Sequence, residues 1–140
     1  MTDQPAAPST PAPQGAPAEP VAKPEIEFAD FAKVDLRVAR VVQAEPHPNA
    51  DRLLRLQIDD GSGTPRQICA GIKAFYKPED LVGKHIVIVA NLKARTIRGE
   101  ESRGMLLAAS DAPKDGGNQG ERNVVVLTPM GQIPAGSIVS

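Results

Sequence analysis

Past residue 30 the apolar residues fall in short runs at every second position, and each run is broken by Gly, Pro, Asn or Asp. That period is the mark of a half-buried strand, whose successive side chains point to opposite faces. In KVDLRVARVV, Val34, Leu36 and Val38 alternate with Lys33, Asp35 and Arg37. LLRLQIDD repeats the pattern through Leu54, Leu56 and Ile58, and ends in DGSGTP, a Gly-rich hairpin connection. RQICAG reads as a third strand, KHIVIVANL as a fourth and the most apolar, and GMLLAAS as a fifth. Between the third and fourth, FYKPEDLVG reads as one helical turn near residues 76–82. Pro78 suits a first helical position, the acids suit its N-terminal end, and Gly83 suits its stop. After a loop, DAPKDGGNQGE, come two more strands, NVVVLTP and GSIVS.

Five strands with one short helix between the third and fourth follow the order of an OB-fold, a small Greek-key barrel. The expected class is all-β, with residues 31–110 forming the barrel and the C-terminal strands lying outside it. At 140 residues the chain suits a single domain. Residues 1–27 are not expected to belong to it. More than half of the first 24 residues are Pro or Ala, and a segment without apolar periodicity buries too little to offset its ordering entropy. The expectation is a disordered Pro/Ala-rich tail followed by a domain at 28–140. The tail has neither the basic start and apolar core of a signal peptide nor the arginines of a transit peptide. No apolar run approaches the ~20 residues of a membrane span. A soluble, cytoplasmic protein is expected.

The formal net charge of -1 conceals an asymmetry. Residues 1–30 hold one Lys against five acids, and residues 31–140 hold the remaining 15 basic residues against 12 acids. The folded part is therefore mildly basic, which permits an anionic partner without demanding one. Cys69, the sole cysteine, rules out an intrachain disulfide, and its flanks Ile68 and Ala70 suggest a buried apolar role. Cys69, His47 and His85 stand at no metal-like spacing, so no metal site is expected. With no Walker loop and no GxGxxG, nothing asks for a cofactor. HPNADRLLRL offers His47, Asp51 and Arg52 but no nearby base or nucleophile. Asn49 or Asp51 capping a short helical turn is the plainer reading.

The densest cationic stretch is NLKARTIRGEESRGM, residues 91–105, with Lys93, Arg95, Arg98 and Arg103. Arg presents a planar fork that pairs with two phosphate oxygens, and Lys supplies a point charge. Asn91 and Ser102 can donate to sugar or base edges, and Gly99 and Gly104 let backbone approach a ligand. In an OB-fold the loop between strands four and five lies at the nucleic-acid face. Composition leaves two readings open, a phosphate-gripping loop and a hairpin with charged flanks for solubility. Aromatic residues for base stacking are few (Phe28, Phe31, Phe75 and Tyr76), so a nucleic acid would be read by shape and phosphate arrangement.

Taken together, VDLRV, HPNADRL, ANLKxR and GxxSxGM, in that order over residues 28–140, resemble one family. It is the tRNA-binding domain found as free-standing structure-specific tRNA-binding proteins, as a C-terminal appendage of bacterial methionyl-tRNA synthetases, and in a cytokine-like synthetase-associated protein. The resemblance implies an OB-fold that binds the tRNA elbow or outer corner without reading an anticodon. It also implies a homodimer through segments outside the barrel, and it admits assistance to an aminoacyl-tRNA synthetase, methionyl-tRNA synthetase above all, in trans. Carried over by position, the tRNA-facing residues are Asn91, Lys93, Arg95, Ser102 and Met105, with Arg98 and Arg103 in support. This selects the phosphate-gripping reading of the loop.

Three positions depart from the family: Ala94 where proline is frequent, Thr96 where a basic residue is frequent, and Glu100 where an apolar one is frequent. Ala94 and Thr96 imply a looser, less charged loop, and the departures bear on affinity more than on function. The chain has neither HIGH-like nor KMSKS-like segments and no Rossmann-sized domain, so amino-acid activation is not expected of it. Within the same family a chaperone-like relative binds peptides of exported proteins. The basic loop favours tRNA over that alternative, because a peptide site needs apolar lining. For the dimer, NVVVLTP and IPAGSIV supply Val124, Val125, Val126, Leu127, Ile133, Ile138 and Val139, more apolar surface than a closed barrel needs.

Overall fold

The computed structural model describes residues 22–111 and 123–140. The expectations for the tail up to residue 21, and for nearly all of DAPKDGGNQGE, lie outside the described residues. Contacts divide the described residues into a body, residues 26–109 and 124–140, and a smaller unit to which residues 22–25, 110, 111 and 123 belong. In the smaller unit the Asp111 carboxylate accepts hydrogen bonds from the backbone N–H and side-chain amide of Asn123, at 2.8 and 2.9 Å.

The body is built on Leu36–Pro46 (β1), with Leu54–Asp59 (β2), Arg66–Ala70 (β3), His85–Val89 (β4) and Met105–Leu106 (β7) as its antiparallel neighbours in the order β3-β2-β1-β4-β7. The intervening Arg95–Ile97 (β5) and Glu100–Ser102 (β6) pair only with each other. Ala108–Ser110 (β8) pairs with Val124–Val126 (β9), and Ile138–Val139 (β10) returns to β1. The expected fifth strand, GMLLAAS, is thus two short strands, β7 and β8. This is a nearly closed five-stranded barrel of the OB type, as the strand order implied. Pro78–Leu81 (α2) stands between β3 and β4, starting at Pro78 and halted by Gly83 at φ 87°. A further helical turn, Phe28–Phe31 (α1), precedes β1 and leaves Phe28 exposed. Among the described residues no helix is long and apolar enough to cross a membrane.

β1 serves two neighbours at once. Its first half, Leu36 to Arg40, pairs with β4, and its second half, Arg40 to Pro46, pairs with β2. Leu36 lies opposite both Val89 of β4 and Val139 of β10, so β10 fills the edge of β1 that β2 does not reach. A register shift between Val41 and Gln43 lets one strand bend around both partners. It also moves the inward phase. Ala39 and Val41 enter the core, and beyond the bulge Ala44 packs against it while Val42 is exposed. The alternation of Val34, Leu36 and Val38 therefore marks the outer face. Val38 is buried there outside the core cluster, with the C-terminal segment bonded along it through Ser137 O and Gly136 N.

Leu54, Leu56, Ile58, Ile68, Ile86 and Ile88 fill the interior together with Val41. Each such side chain gains roughly 1.5–3 kcal/mol on leaving water. Val124 also joins this core, so the C-terminal strands donate part of their apolar surface to the barrel itself.

Candidate nucleic-acid interface

The segment quoted for its cations is a hairpin. Arg95 faces Ser102, Thr96 faces Glu101, and Ile97 faces Glu100. The two residues between, Arg98 and Gly99, have φ of 52° and 89°. A two-residue turn with both φ positive matches the right-handed twist of its strands, and Asn-Gly or Gly-Gly is its ordinary chemistry. An arginine held there costs about 1–2 kcal/mol relative to glycine. The turn alone does not call for this side chain.

The hairpin lies against the outward side chains of β2 and β3. Arg55 is gripped between two carboxylates: its Nη1 donates to Glu100 at 2.7 Å, and its Nε donates to Glu45 at 2.7 Å. Gln67 donates to the Glu101 carbonyl at 2.8 Å and to Glu100 at 3.3 Å, and itself accepts from Gln57. The hydrogen bond from Arg55 holds Glu100 below the usual carboxylate range, and bonds to Glu100 and Glu45 raise the Arg55 guanidinium further. Glu100, the departure from an apolar residue, therefore anchors the hairpin. Behind it, Cys69 is half-buried on the outer face of β3 rather than buried, since Ile68 and Ala70 take the inward positions. Partial burial pushes its thiol pKa up, away from reactivity.

From the other side, HPNAD forms turns and no helical turn, correcting the capping expectation. His47 is buried, with Nε2 at 2.8 Å from the Ile97 carbonyl and Nδ1 accepting from the Asn49 N–H at 2.9 Å. Asn49 in turn donates from Nδ2 to the Arg98 carbonyl at 3.3 Å.

The foot of the hairpin closes the barrel. The Arg103 N–H donates to Gln67 O at 2.8 Å, and the Cys69 N–H donates to Ser102 Oγ at 3.0 Å, where a strand ladder would supply a carbonyl. Arg66 links three points: its Nε donates to Asp60 at 2.8 Å, and its Nη1 donates to the carbonyls of Ala90 and Arg103 at 2.9 and 2.8 Å. Burial would raise the Asp60 pKa, but hydrogen bonds from Ser62 and Arg66 outweigh it and hold the carboxyl low. Gly104 passes under this bridge at φ 124°, so close that an added Cβ would sit 2.9 Å from the Val89 carbonyl.

The residues named from sequence separate into two groups. Lys93, Arg95, Arg98 and Arg103 are exposed, and none makes an ion pair among the described residues, whereas Arg37, Arg55 and Arg66 are all paired. Met105 is 46% exposed beside them in sequence. Asn91 and Ser102 are occupied internally. Asn91 accepts from the Asp35 N–H and donates to the Lys33 carbonyl, and Ser102 is only 4% exposed, its hydroxyl held between Cys69 and Gly104. Sequence reasoning missed His47, Asn49, Arg55, Arg66 and Gln67 as supports. The hydrogen bonds by which they hold the hairpin span more than 30 residues each, beyond the reach of any local spacing rule.

A family model described as a putative tRNA binding domain matches residues 36–138. The chain is 45% identical over 114 residues to methionine–tRNA ligase of Pyrococcus horikoshii, covering 81% of this chain and 14% of that protein. It is 58% identical over 90 residues to methionine–tRNA ligase of Chlorobium limicola, covering 64% of this chain and 13% of that one. The chain thus spans only a small part of the length of these relatives. Among solved structures it is similar to a MetRS-related protein from Pyrococcus horikoshii (TM-score 0.72, 30% identity, 84% of this chain and all of that one). It is likewise similar to the chaperone CsaA from Bacillus anthracis (TM-score 0.70, 34% identity, the same coverage).

Proposed function

The chain belongs to the tRNA-binding domain family, and from that membership we propose that it is a non-catalytic, structure-specific tRNA-binding module. It grips phosphates at the tRNA elbow or outer corner with the β5–β6 hairpin and its flanks. The observation that carries this reading is the clustering of cations on one braced element: Lys93, Arg95, Arg98 and Arg103 stand exposed on the hairpin and its flanks with no ion pair among the described residues, while Arg55 and Arg66 beneath them are held by carboxylates. Free guanidinium forks on a braced hairpin suit phosphate oxygens. Ser102 and Asn91 serve by shaping the surface, since their polar atoms are already engaged. Four phosphate contacts imply that log affinity for unfractionated tRNA falls against log salt with a slope near -3, at about 0.7–0.9 per contact. A slope near zero, or no binding at low salt, would reject the proposal. Competition with an exported-protein peptide decides the alternative reading, a peptide-binding chaperone, which Leu92 and Met105, exposed on either flank of the hairpin, favour.

Assistance to methionyl-tRNA synthetase in trans belongs to the same proposal, supported by relatives in which the matched region is a small share of a methionine–tRNA ligase. Pull-down of that synthetase in the presence and absence of tRNA tests it. For assembly, Val125, Leu127, Ile133 and Ile138 remain exposed on the segments outside the barrel, while Val124 does not. Those four residues suit a two-fold interface. Sedimentation is expected to give a dimer at micromolar concentrations, and a clean monomer there would exclude it.

A further inference from the structure

A peptide unit moves as a plane, so the φ and ψ of a residue are the rotations between the two planes that flank it. At Arg98 both planes are held from outside the hairpin. His47 Nε2 bonds the Ile97 carbonyl, which belongs to the plane before Arg98, and Asn49 Nδ2 bonds the Arg98 carbonyl, which belongs to the plane after it. The Asn49 N–H bonded to His47 Nδ1 ties the two supports to each other and leaves Nε2 as the ring nitrogen that faces the Ile97 carbonyl. From this geometry we infer that His47, with Asn49, is a positioning residue that locks Arg98 in its left-handed conformation and so aims its guanidinium at the tRNA backbone. The inference rests on the tRNA-binding reading of the hairpin.

The arrangement explains two facts together. Arg98 occupies a backbone conformation that L side chains rarely adopt, at a turn position where Asn or Gly is the ordinary chemistry. A conformation of this kind persists only where the surroundings over-determine it, and such strain concentrates at functional sites. His47, for its part, is a buried polar ring with both nitrogens spent on backbone. An ordinary turn residue would be exposed and would serve only its own segment. The latch spans 50 positions of sequence to reach the one residue whose dihedrals most need fixing.

The test uses two isosteric halves of the imidazole. His47→Gln keeps a donor near the Nε2 position, and His47→Asn keeps only an acceptor near Nδ1. With unfractionated tRNA as probe, His47→Asn is expected to weaken binding roughly fivefold and to flatten the salt slope by up to about one unit, as Arg98→Ala does. His47→Gln should stay within about twofold of the parent, and in an Arg98→Ala background His47→Asn should add less than about twofold, because coupled residues are non-additive. Without tRNA, amide hydrogen exchange at residues 97–100 should quicken about tenfold in His47→Asn and recover in His47→Gln. Unchanged slope and unchanged exchange overturn the inference. So does a loss that persists in full without Arg98, which would make His47 a support of the whole fold. Should His47→Asn fail to fold, Asn49→Ala, which removes only the donor to the Arg98 carbonyl, takes its place under the same criteria. If the parent protein binds no tRNA, the functional proposal falls and the exchange measurement alone decides the latch.

Discussion

With Lys93, Arg95, Arg98 and Arg103 all replaced by alanine, affinity for unfractionated tRNA at about 0.15 M salt is expected to fall a few hundredfold, and the salt slope to flatten by about three units. Each phosphate contact releases condensed counterions, so the loss accumulates with the number of contacts and is similar for all tRNA species. The four side chains are exposed and bond to no acid among the described residues, so their removal leaves the barrel intact. Lys93→Ala or Arg95→Ala alone should remove up to about one unit of slope. Ser102→Ala should leave the slope untouched and instead cost about 1 kcal/mol of stability through the orphaned Cys69 N–H. Salt titration with a parallel melt decides it: a quadruple variant that folds normally and keeps the parental slope removes the hairpin from the interface.

The second large effect is on folding. Gly104→Ala is expected to destabilise by about 2–6 kcal/mol, combining roughly 1–3 for the backbone conformation with a similar amount for overlap. The new Cβ would lie 2.9 Å from the Val89 carbonyl, with Arg66 and Ile68 atoms at 3.6 Å, where the barrel closes. Gly63→Ala makes the comparison clean. Its φ is also positive, at 86°, but nothing lies within 4 Å of an added Cβ, so only the conformational part applies. Thermal unfolding should separate the two variants by about 4 °C or more. If they melt together, the strand end at Val89 yields more easily than its bonded position implies.

The strand pattern and turn signals made the barrel legible because local alternation and turn chemistry are local properties. They assigned the wrong face of β1, since Val38 reads as core until the bulge after Val41 and the covering C-terminal segment are known. The cations of the hairpin were legible as a cluster, and the resemblance supplied their role. What braces them was not legible. Arg55 meets Glu100 across 45 positions, and Arg66 reaches Arg103 across 37, and no spacing rule connects such pairs. Ser102 shows the converse: a residue type that suits a ligand contact is consumed in closing the barrel.

The pairing of Leu36 with Val139 places the start of the barrel's first strand beside the C-terminal strand β10, at the ~5 Å spacing of antiparallel neighbours. A fold whose entrance and exit meet at one doorway needs a single point of attachment. Such a body can hang from either end of a longer polypeptide, or be spliced into a surface loop of one, with no strand having to span the host and no edge of the barrel having to open. Portability of that sort is a property of the chain path, independent of which ligand the hairpin holds.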